Sequence, residues 1–492
     1  MSPHLVWIHQ NFVTRRQAGN SRAVLQVAAL LERGWRVDVI TGPNSYLERR
    51  APPRPYSVTE EGQLRIHRLA SRGARYGYAN RQSSYINFVW NAFKLAATLG
   101  TPDVFFASSP PLPQVLPSLL LAALKRRPLV FEARDLWPAM LVETGLLARG
   151  GFSGLLAVLE ASTTRYASRC ICATPGFERY FQSLGVSFSK LEVIPTGSDL
   201  VFAKKRSKGG AEWRAIHDLQ EKFVIVYAGS LNEHYGVSDI VEAAEFVHER
   251  NAAVTWVICG DGRDRALISK AAQDCSYLLD LGPIPKEELR PLFEGSDLAL
   301  VSLVDFPLFR SILPGKLFDY MAAGLPIVSN VAGHTDELLK RSGAGRSYLP
   351  ERKGSERAPE VLARGVLEMS SMPSAELARM GCLGSDWVAG HLNGHAMARR
   401  WALTLEKVMS LSLPSDSMGL PGMLRLIRSL VGGFADVMKG RHEEAVEALA
   451  GPEDGHEACR LLADWLIDQP DQTEESEICV PDILETPVEG AT

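Results

Sequence analysis

Cysteine and long apolar runs are both scarce in this sequence. Seven cysteines among 492 residues form an odd and sparse set, which argues against a disulfide framework and favours a reducing compartment. The longest apolar run, at 116–124, contains a serine and is far shorter than the roughly 18 residues of a membrane-spanning helix. We therefore expect neither a disulfide-bonded scaffold nor a transmembrane segment.

Two further patterns are missing. Residues 1–12 have no basic stretch followed by a long apolar core, so they are predicted to hold the first strand and not a secretory leader. Cys170 and Cys172 alternate with apolar residues and lack a second Cys/His pair at ligand spacing, which predicts core packing and not metal binding. The expected location is the cytoplasm.

Charge of both signs is present but unevenly distributed. The formal net charge is −4, yet residues 1–200 hold 23 Lys and Arg against 13 Asp and Glu, whereas residues 413–492 hold 5 against 17. A basic region favours phosphates, an anionic membrane surface or nucleic acid as its partner. No nucleic-acid-binding module is recognisable, so nucleic acid is not an expected partner.

Short apolar strands alternate with amphipathic helical stretches in two series. This pattern predicts two doubly wound α/β domains, each with a parallel sheet covered by helices. The domains are expected at 1–203 and 204–412, the second closed by a long helix at 391–411, with a helical acidic extension and a disordered end at 413–492. The predicted strands lie at 5–9, 36–41, 103–108, 129–133, 170–174, 191–195, 223–229, 254–260, 277–282, 298–303 and 326–330.

Ligands of such domains bind at the carboxyl ends of the strands. In the first domain, Gly19, Asn20 and Arg22 follow the first strand and open a predicted helix, where free N–H groups favour an anion. An ordinary turn with a helix cap is the alternative interpretation.

Three charged residues, Glu132, Arg134 and Asp135, follow or end the strand at 129–133. Because buried charges need partners, these side chains either pair with one another or line a ligand site. The second of these interpretations makes them candidates for substrate contact.

The second domain has two loops of interest. Gly260, Asp261 and Gly262 follow a strand, although such turns are common. The more specific stretch is 311–329, where a helix opens at Pro314, Gly315 and Lys316. Backbone N–H groups and an ammonium at one spot suit a diphosphate, and Asp319 one turn later is placed to accept hydrogen bonds from sugar hydroxyls. A capped surface helix with solvated charges is the alternative.

Six segments together carry a family resemblance: SSPPL (108–112), FEARDLWP (131–138), VIPTGSD (193–199), YAGSL (227–231), CGDG (259–262) and LPGKLFDYMAAGLPIVS (313–329). In this order they resemble the family 4 retaining glycosyltransferases of the GT-B fold, and most of all the branch that builds colanic acid, O-antigen and exopolysaccharide units. The resemblance covers roughly residues 4–410.

The resemblance implies transfer of a sugar, with retention, from a nucleotide sugar to a glycan or polyprenyl-diphosphate-linked acceptor, in a cleft between two domains. A UDP sugar is the expected donor, and no metal or cofactor is implied. The implied catalytic residues are Arg134, Asp135 and Lys316. The implied acceptor-binding residues are Gly19, Asn20, Arg22, Glu132 and Arg134. The implied donor-binding residues are Gly229, Ser230, Gly260, Asp261, Gly262, Ile284, Ser311, Pro314, Gly315, Lys316 and Asp319.

The sequence departs from the wider family at three of these positions. Ser311 stands where the first acid of the family's Glu-x7-Glu motif is common, Ser230 stands where an arginine is common, and Arg134 aligns with a frequent histidine. These departures leave Lys316 and Arg134 as the principal candidates for neutralising the diphosphate.

A basic surface in the first domain is a candidate for docking on an anionic membrane at the inner face of the plasma membrane. It comprises Arg65, Arg68, Arg72, Arg75, Arg81, Lys125, Arg126 and Arg127. A solvated basic face is the alternative. Two other functions stay open: a GT-B nucleotide-sugar 2-epimerase, which needs no acceptor, and a catalytically silent scaffold of a polysaccharide assembly complex.

Overall fold

The structure is a computed structural model that describes residues 2–13, 22–42, 56–69, 78–198, 209–350 and 356–411. The chain forms two compact units. Among the described residues, the first unit runs to Pro195 and resumes at His395, and the second runs from Thr196 to Gly394. The predicted extension at 413–492 lies outside the described residues.

The first unit contains an eight-stranded sheet with the order β3-β4-β2-β1-β5-β6-β7-β8. Its strands are β1 (His4–Ile8), β2 (Arg36–Thr41), β3 (Tyr56–Glu61), β4 (Leu64–Leu69), β5 (Val104–Ser109), β6 (Leu129–Ala133), β7 (Arg169–Cys172) and β8 (Leu191–Val193). All neighbours are parallel except the hairpin β3–β4. The helices are α1 (Arg22–Glu32), α2 (Tyr78–Thr98), α3 (Val115–Lys125), α4 (Ala139–Glu143), α5 (Gly151–Tyr166) and α6 (Pro175–Ser183).

The second unit contains a six-stranded, wholly parallel sheet with the order β11-β10-β9-β12-β13-β14. Its strands are β9 (Phe223–Ala228), β10 (Val254–Cys259), β11 (Leu278–Gly282), β12 (Leu298–Val301), β13 (Ile327–Ser329) and β14 (Gly345–Ser347). The helices are α7 (Gly209–Ile216), α8 (Val237–Arg250), α9 (Arg265–Asp274), α10 (Leu289–Glu294), α11 (Gly315–Ala322), α12 (His334–Ser342), α13 (Ala358–Ser370) and α14 (Ser374–His391).

Both sheets confirm the predicted doubly wound α/β class. The central strands are continuous apolar runs because helices cover both faces of a parallel sheet, and β1, β5, β6 and β10 are buried along their whole length. All eleven predicted strands are present, with ends within two residues of the predicted ones. In each unit the order in which strands are added to the sheet reverses at one central parallel pair, β1 with β5 and β9 with β12. Such switch points are where doubly wound sheets bind ligands.

The last described helix, α15 (Gly394–Met409), packs on the first unit, whereas the sequence placed it in the second domain. Its Trp401 is fully buried, with its ring 4.9 Å from Phe106 and 5.7 Å from Trp7. Thr404 donates a hydrogen bond of 2.8 Å to Glu192 on β8. The amphipathic pattern thus predicts the helix, but the aromatic contacts of Trp401 determine which sheet it covers.

Several residues of the predicted basic surface serve the fold instead. Arg65 and Arg68 lie on β4; Arg65 donates to the fully buried carboxylate of Asp38 at 2.6 Å, and Arg68 is 3% exposed. Lys125 donates to the last carbonyls of α2, including Ala97 at 3.0 Å, and Arg127 lies 3.8 Å from Asp103. A buried carboxylate and a helix end both need donors, which explains these positions.

Arg126 alone of the described set is exposed at a left-handed backbone position. Arg72, Arg75 and the side chain of Arg81 lie outside the described part of the chain. In the residues that the structure describes, no helix is both long and apolar enough to cross a membrane.

Candidate functional site

At the carboxyl edge of the first sheet, Glu132 accepts three hydrogen bonds on one oxygen. Arg22 at the start of α1 donates to Glu132 Oε1 through Nε at 3.0 Å and Nη2 at 2.6 Å, and Gln26 Nε2 donates at 3.0 Å. Arg22 also donates to the carbonyls of Pro195 and Ile194, at 2.5 and 3.1 Å. Glu132 is 1% exposed and Arg22 6%. The structure therefore brings these two predicted residues together as a buried ion pair that ties α1 to β6 and the chain after β8.

Arg134 and Asp135 lie just beyond β6 and are half-buried. Arg134 Nη2 donates to the carbonyl of Pro110 at 2.8 Å, which ties this loop to the one after β5. Burial raises the pKa of Asp135 to about 6, and the nearby Arg134 guanidinium opposes that rise. The pair thus places a cation beside a carboxyl that titrates near neutrality, a combination typical of functional sites.

His9, directly after β1, was not among the predicted site residues. The residue is 3% exposed, and its ring stacks on Trp7 with 5.4 Å between the ring centres. Its Nδ1 atom has no hydrogen-bond partner among the described residues. Burial and the nearby Arg134 both keep the pKa of His9 well below its usual value, so the imidazole is neutral. The sequence feature that could have identified His9 is its position at the end of the first strand, but the predicted strand at 5–9 included this residue. Gly19 and Asn20 lie outside the described residues.

At the carboxyl edge of the second sheet, Lys316 in the first turn of α11 is enclosed by aromatic rings. Its Nζ lies 3.7 Å from the centre of the Tyr227 ring and 4.2 Å from that of Tyr235. The atom is buried and has no hydrogen-bond partner among the residues that the structure describes. Burial holds the pKa of Lys316 well below its usual value. A buried amine without an acceptor is costly, so its position calls for a ligand or another compensation.

Gly229, at the end of β9, makes room for this amine. A Cβ on Gly229 would lie 2.9 Å from both Cε and Nζ of Lys316, and the residue has φ of +155°. Any side chain here would displace the lysine. The structure thus joins two predicted donor-site residues from different elements, β9 and α11.

Gly260 and Gly262 have a structural reason that the sequence did not reveal. A Cβ on Gly260 would collide with the carbonyl of Gly229, and one on Gly262 with the carbonyl of Leu231. The Asp261 carbonyl accepts from Leu231 N–H at 3.0 Å, and Asp261 Oδ1 accepts from Gly262 N–H at 2.9 Å. Close approach of the loops after β9 and β10 therefore requires these glycines, whether or not a ligand binds there.

Asp319 accepts a hydrogen bond from Lys286 Nζ at 3.1 Å. Lys286 was not predicted, because it lies 33 positions away, in the loop after β11. This contact places a second cation near the start of α11. Asp319 has a protein partner here, and its contact with a ribose stays a prediction.

The remaining predicted donor residues lie in the same loops. Pro314 precedes the first residue of α11, Gly315, and Ser311 ends the short turn before them. The Ser230 carbonyl accepts from the Tyr227 hydroxyl at 2.7 Å, and Ile284 follows β11. These positions border the carboxyl ends of β9, β11 and β12 in the second unit. Among the described residues, no three His, Cys, Asp or Glu side chains come together as metal ligands.

Two family models match the chain. Residues 18–197 match a glycosyl transferase 4-like domain, and residues 222–369 match the glycosyl transferases group 1. The chain belongs to the glycosyltransferases. The two matches correspond to the two units, and the predicted GT-B fold class is confirmed. No curated protein matches the chain at a significant level.

Solved structures of similar fold are distant in sequence. Sucrose-phosphate synthase from Thermosynechococcus elongatus has 16% identity and a TM-score of 0.65, over 83% of this chain and 100% of that one. Anabaena Alr3699/HepE in complex with UDP and glucose has 15% identity and a TM-score of 0.58, over 82% of this chain and 100% of that one. The E. coli trehalose-6-phosphate protein bound with UDP-2-fluoro glucose has 13% identity and a TM-score of 0.60, over 83% of this chain and 99% of that one. At these identities the likeness shows the fold alone.

Proposed function

We propose that this glycosyltransferase transfers a sugar, with retention and without a metal, from a nucleotide sugar to a glycan or polyprenyl-diphosphate-linked acceptor. A UDP sugar is the proposed donor, and two structurally similar proteins contain UDP or a UDP sugar. The proposed role is cell-surface polysaccharide synthesis at the cytoplasmic face of the membrane, as the resemblance to the exopolysaccharide branch implies. No cofactor other than the substrates takes part in this proposal.

The observation that carries the proposal is the buried amine of Lys316 in the first turn of α11, which has no hydrogen-bond partner among the residues that the structure describes. The first N–H groups of a helix have no acceptor within the helix, and the helix dipole favours an anion there. A diphosphate placed against them would accept hydrogen bonds from these N–H groups and from Lys316. Such donors stabilise the negative charge that develops on the leaving diphosphate when the bond to the sugar breaks.

The proposed acceptor residues belong to the first unit. Arg134 and Asp135 at the end of β6 offer a guanidinium and a carboxyl to an acceptor hydroxyl or its diphosphate. Because Asp135 has a pKa of about 6, it is largely ionised at neutral pH and accepts a hydrogen bond from a hydroxyl. Arg22 and Glu132 contribute by fixing the loop after β8 and the end of β6.

The test is a screen of nucleotide sugars against lipid-linked acceptors, with transfer detected by mass spectrometry. We expect transfer from one class of donor, and loss of transfer in Lys316→Ala. Lys340→Ala is the matched control, because Lys340 is an exposed lysine of the same unit, paired with Asp336 at 2.7 Å. Normal transfer by Lys316→Ala would refute the assignment of the donor site.

The same screen distinguishes the other two functions. Conversion of a nucleotide sugar in the absence of any acceptor would indicate an epimerase. Nucleotide binding without turnover, unaffected by Lys316→Ala, would indicate a scaffold. Either result would replace the proposed transfer reaction.

Peripheral binding to an anionic membrane is part of the proposal. Ile86 and Trp90 on the outer face of α2 are 72% and 57% exposed, and Lys94 lies one turn further, 4.9 Å from the Trp90 ring centre. Exposed aromatic and apolar residues beside a cation suit the membrane interface. We expect sedimentation with anionic vesicles and weaker sedimentation of Trp90→Ala, with Phe188→Ala, another exposed aromatic of this unit, as control. Equal recovery with neutral vesicles would exclude the electrostatic part.

A further inference from the structure

Three segments of the second unit meet at the amine of Lys316. The first is the end of β9, which supplies Tyr227 and Gly229; the second is the short turn Glu233–Tyr235, which supplies Tyr235; the third is α11 itself. The two tyrosine rings lie 3.7 and 4.2 Å from Nζ, well within the range of a cation–π contact. We call Tyr227 and Tyr235 the tyrosine clamp.

The clamp is held in place by contacts outside it. The Tyr227 hydroxyl donates to the Ser230 carbonyl at 2.7 Å, which fixes the plane of its ring. The turn that carries Tyr235 is anchored because the His234 carbonyl accepts from Val304 N–H at 3.0 Å. On the other side, Ala228 N–H donates to the Tyr320 hydroxyl at 2.7 Å and thereby ties α11 to β9.

The amine gains nothing from hydrogen bonding in this position. No acceptor among the described residues reaches Nζ, which lies against two ring faces and beside Gly229. Three titratable groups lie beside it: the two clamp tyrosines and His234, whose pKa is lowered to about 4 by burial and by the charges of Lys316 and Arg263. Tyrosine and histidine side chains do not supply an anion at neutral pH, and a bound diphosphate would supply the counter-charge of the amine.

We propose that Tyr235, with Tyr227, is a positioning residue that holds the Lys316 amine over Gly229 for the diphosphate of the donor. This inference rests on the proposed donor site. It assigns a role to Tyr235, which lies outside the quoted family segments, and to Tyr227, for which no role had been predicted. The ring faces attract the cation without neutralising it, so its charge stays available to the diphosphate. Tyr235 itself touches the amine and does no chemistry.

Binding of UDP and of uridine to purified variants of the full chain tests the clamp, because uridine has no phosphate. Tyr235→Leu removes a ring face, and we expect it to weaken UDP binding about tenfold while uridine binding stays unchanged. Tyr235→Phe keeps the ring and is expected to stay within about twofold of wild type for UDP. Tyr277→Leu, an aromatic residue that stacks on His248 in the same unit, serves as the control.

A second measurement does not depend on UDP. Acylation of Lys316 by an amine-reactive reagent, mapped by mass spectrometry and divided by that of the exposed Lys340, reports how accessible the amine is. We expect a several-fold increase in Tyr235→Leu and none in Tyr235→Phe. If wild type fails to bind UDP but acylation increases in Tyr235→Leu and not in Tyr235→Phe, the positioning role of the clamp is supported and the proposed UDP-sugar donor is refuted. Equal loss of UDP and uridine binding, or a Tyr235→Phe defect as large as that of Tyr235→Leu, would overturn the clamp.

Discussion

The carboxyl edges of the two sheets differ in whether their buried charged side chain has hydrogen-bonding partners among the described residues. In the first unit, Glu132 is held by Arg22 and Gln26 through three hydrogen bonds. In the second unit, the amine of Lys316 is also buried, but it faces two aromatic rings and has no acceptor among the described residues. Paired charge supports the fold, whereas unpaired buried charge costs stability and is retained where a ligand uses it.

The largest expected effect is a loss of stability at the carboxyl edge of the first sheet, where Glu132 is paired with Arg22; we call this the paired edge. Glu132→Ala leaves the buried Arg22 guanidinium without its counter-charge, so we expect the first unit to lose about 3–5 kcal/mol of unfolding free energy. Urea unfolding of the full chain, followed by the fluorescence change of the first unit, measures it.

The control for this prediction is an exposed ion pair of the same unit. Arg33 and Glu406 are joined by two hydrogen bonds of 2.6 and 2.7 Å, but both side chains are about one third exposed. Glu406→Ala should therefore cost about 0–1 kcal/mol. If Glu132→Ala costs no more than Glu406→Ala, the first edge is not the paired, fold-supporting site described above.

At the carboxyl edge of the second sheet, which we call the unpaired edge, removal of the charge of Lys316 should raise stability instead of lowering it. Lys316→Met fills the same space without a polar group, so we expect the second unit to gain about 1 kcal/mol of stability. The same change should weaken UDP binding at least about tenfold, because a charge-assisted hydrogen bond to phosphate is lost. Thermal unfolding and calorimetric titration with UDP measure the two effects.

Lys340→Met is the control for this pair of measurements. It removes an exposed amine of α12 whose partner is Asp336, and it should change stability by less than about 0.5 kcal/mol and leave UDP binding intact. A loss of stability in Lys316→Met would show that the amine supports the fold, which would remove the contrast between the two edges.

The sheets could be predicted from the sequence because a strand covered on both faces is a continuous apolar run. The runs at β1, β5, β9 and β10 all show this pattern. The hairpin β3–β4 was missed because its edge strand alternates polar and apolar residues, and β4 carries arginines that resembled a surface cluster. Helix α15 was assigned to the wrong unit, since an amphipathic face predicts burial but does not identify the sheet that covers it.

The site shows the same limit. Lys316 was predicted from its strand-end loop and Gly229 from the family resemblance, and the structure brings them together. The partner of Asp319, Lys286, and the ring of Tyr235 could not be predicted, because their contacts join distant parts of the chain. Arg22 and Glu132 were predicted as acceptor residues, yet the observed contact between them is a structural ion pair, and binding of an acceptor stays a prediction.

The smallest effect concerns Asp135, which lies just beyond β6 at the same edge of the first sheet as Glu132. Its pKa is raised to about 6 by burial, against about 3.9 in an unfolded chain, so the folded state binds the proton more tightly. Stability from this group is therefore fully present below about pH 4 and is lost as the pH rises through about 6. As the pH rises from about 4 to about 6, the unfolding free energy should fall in wild type and stay level in Asp135→Asn. The fall in wild type should be smaller than the effect of Glu132→Ala. Asp274→Asn, a change at an exposed carboxyl, should keep the wild-type slope of unfolding free energy against pH. If the slope persists in Asp135→Asn, another group titrates in this range, and the carboxyl edge of the first sheet has no carboxyl that titrates near neutral pH.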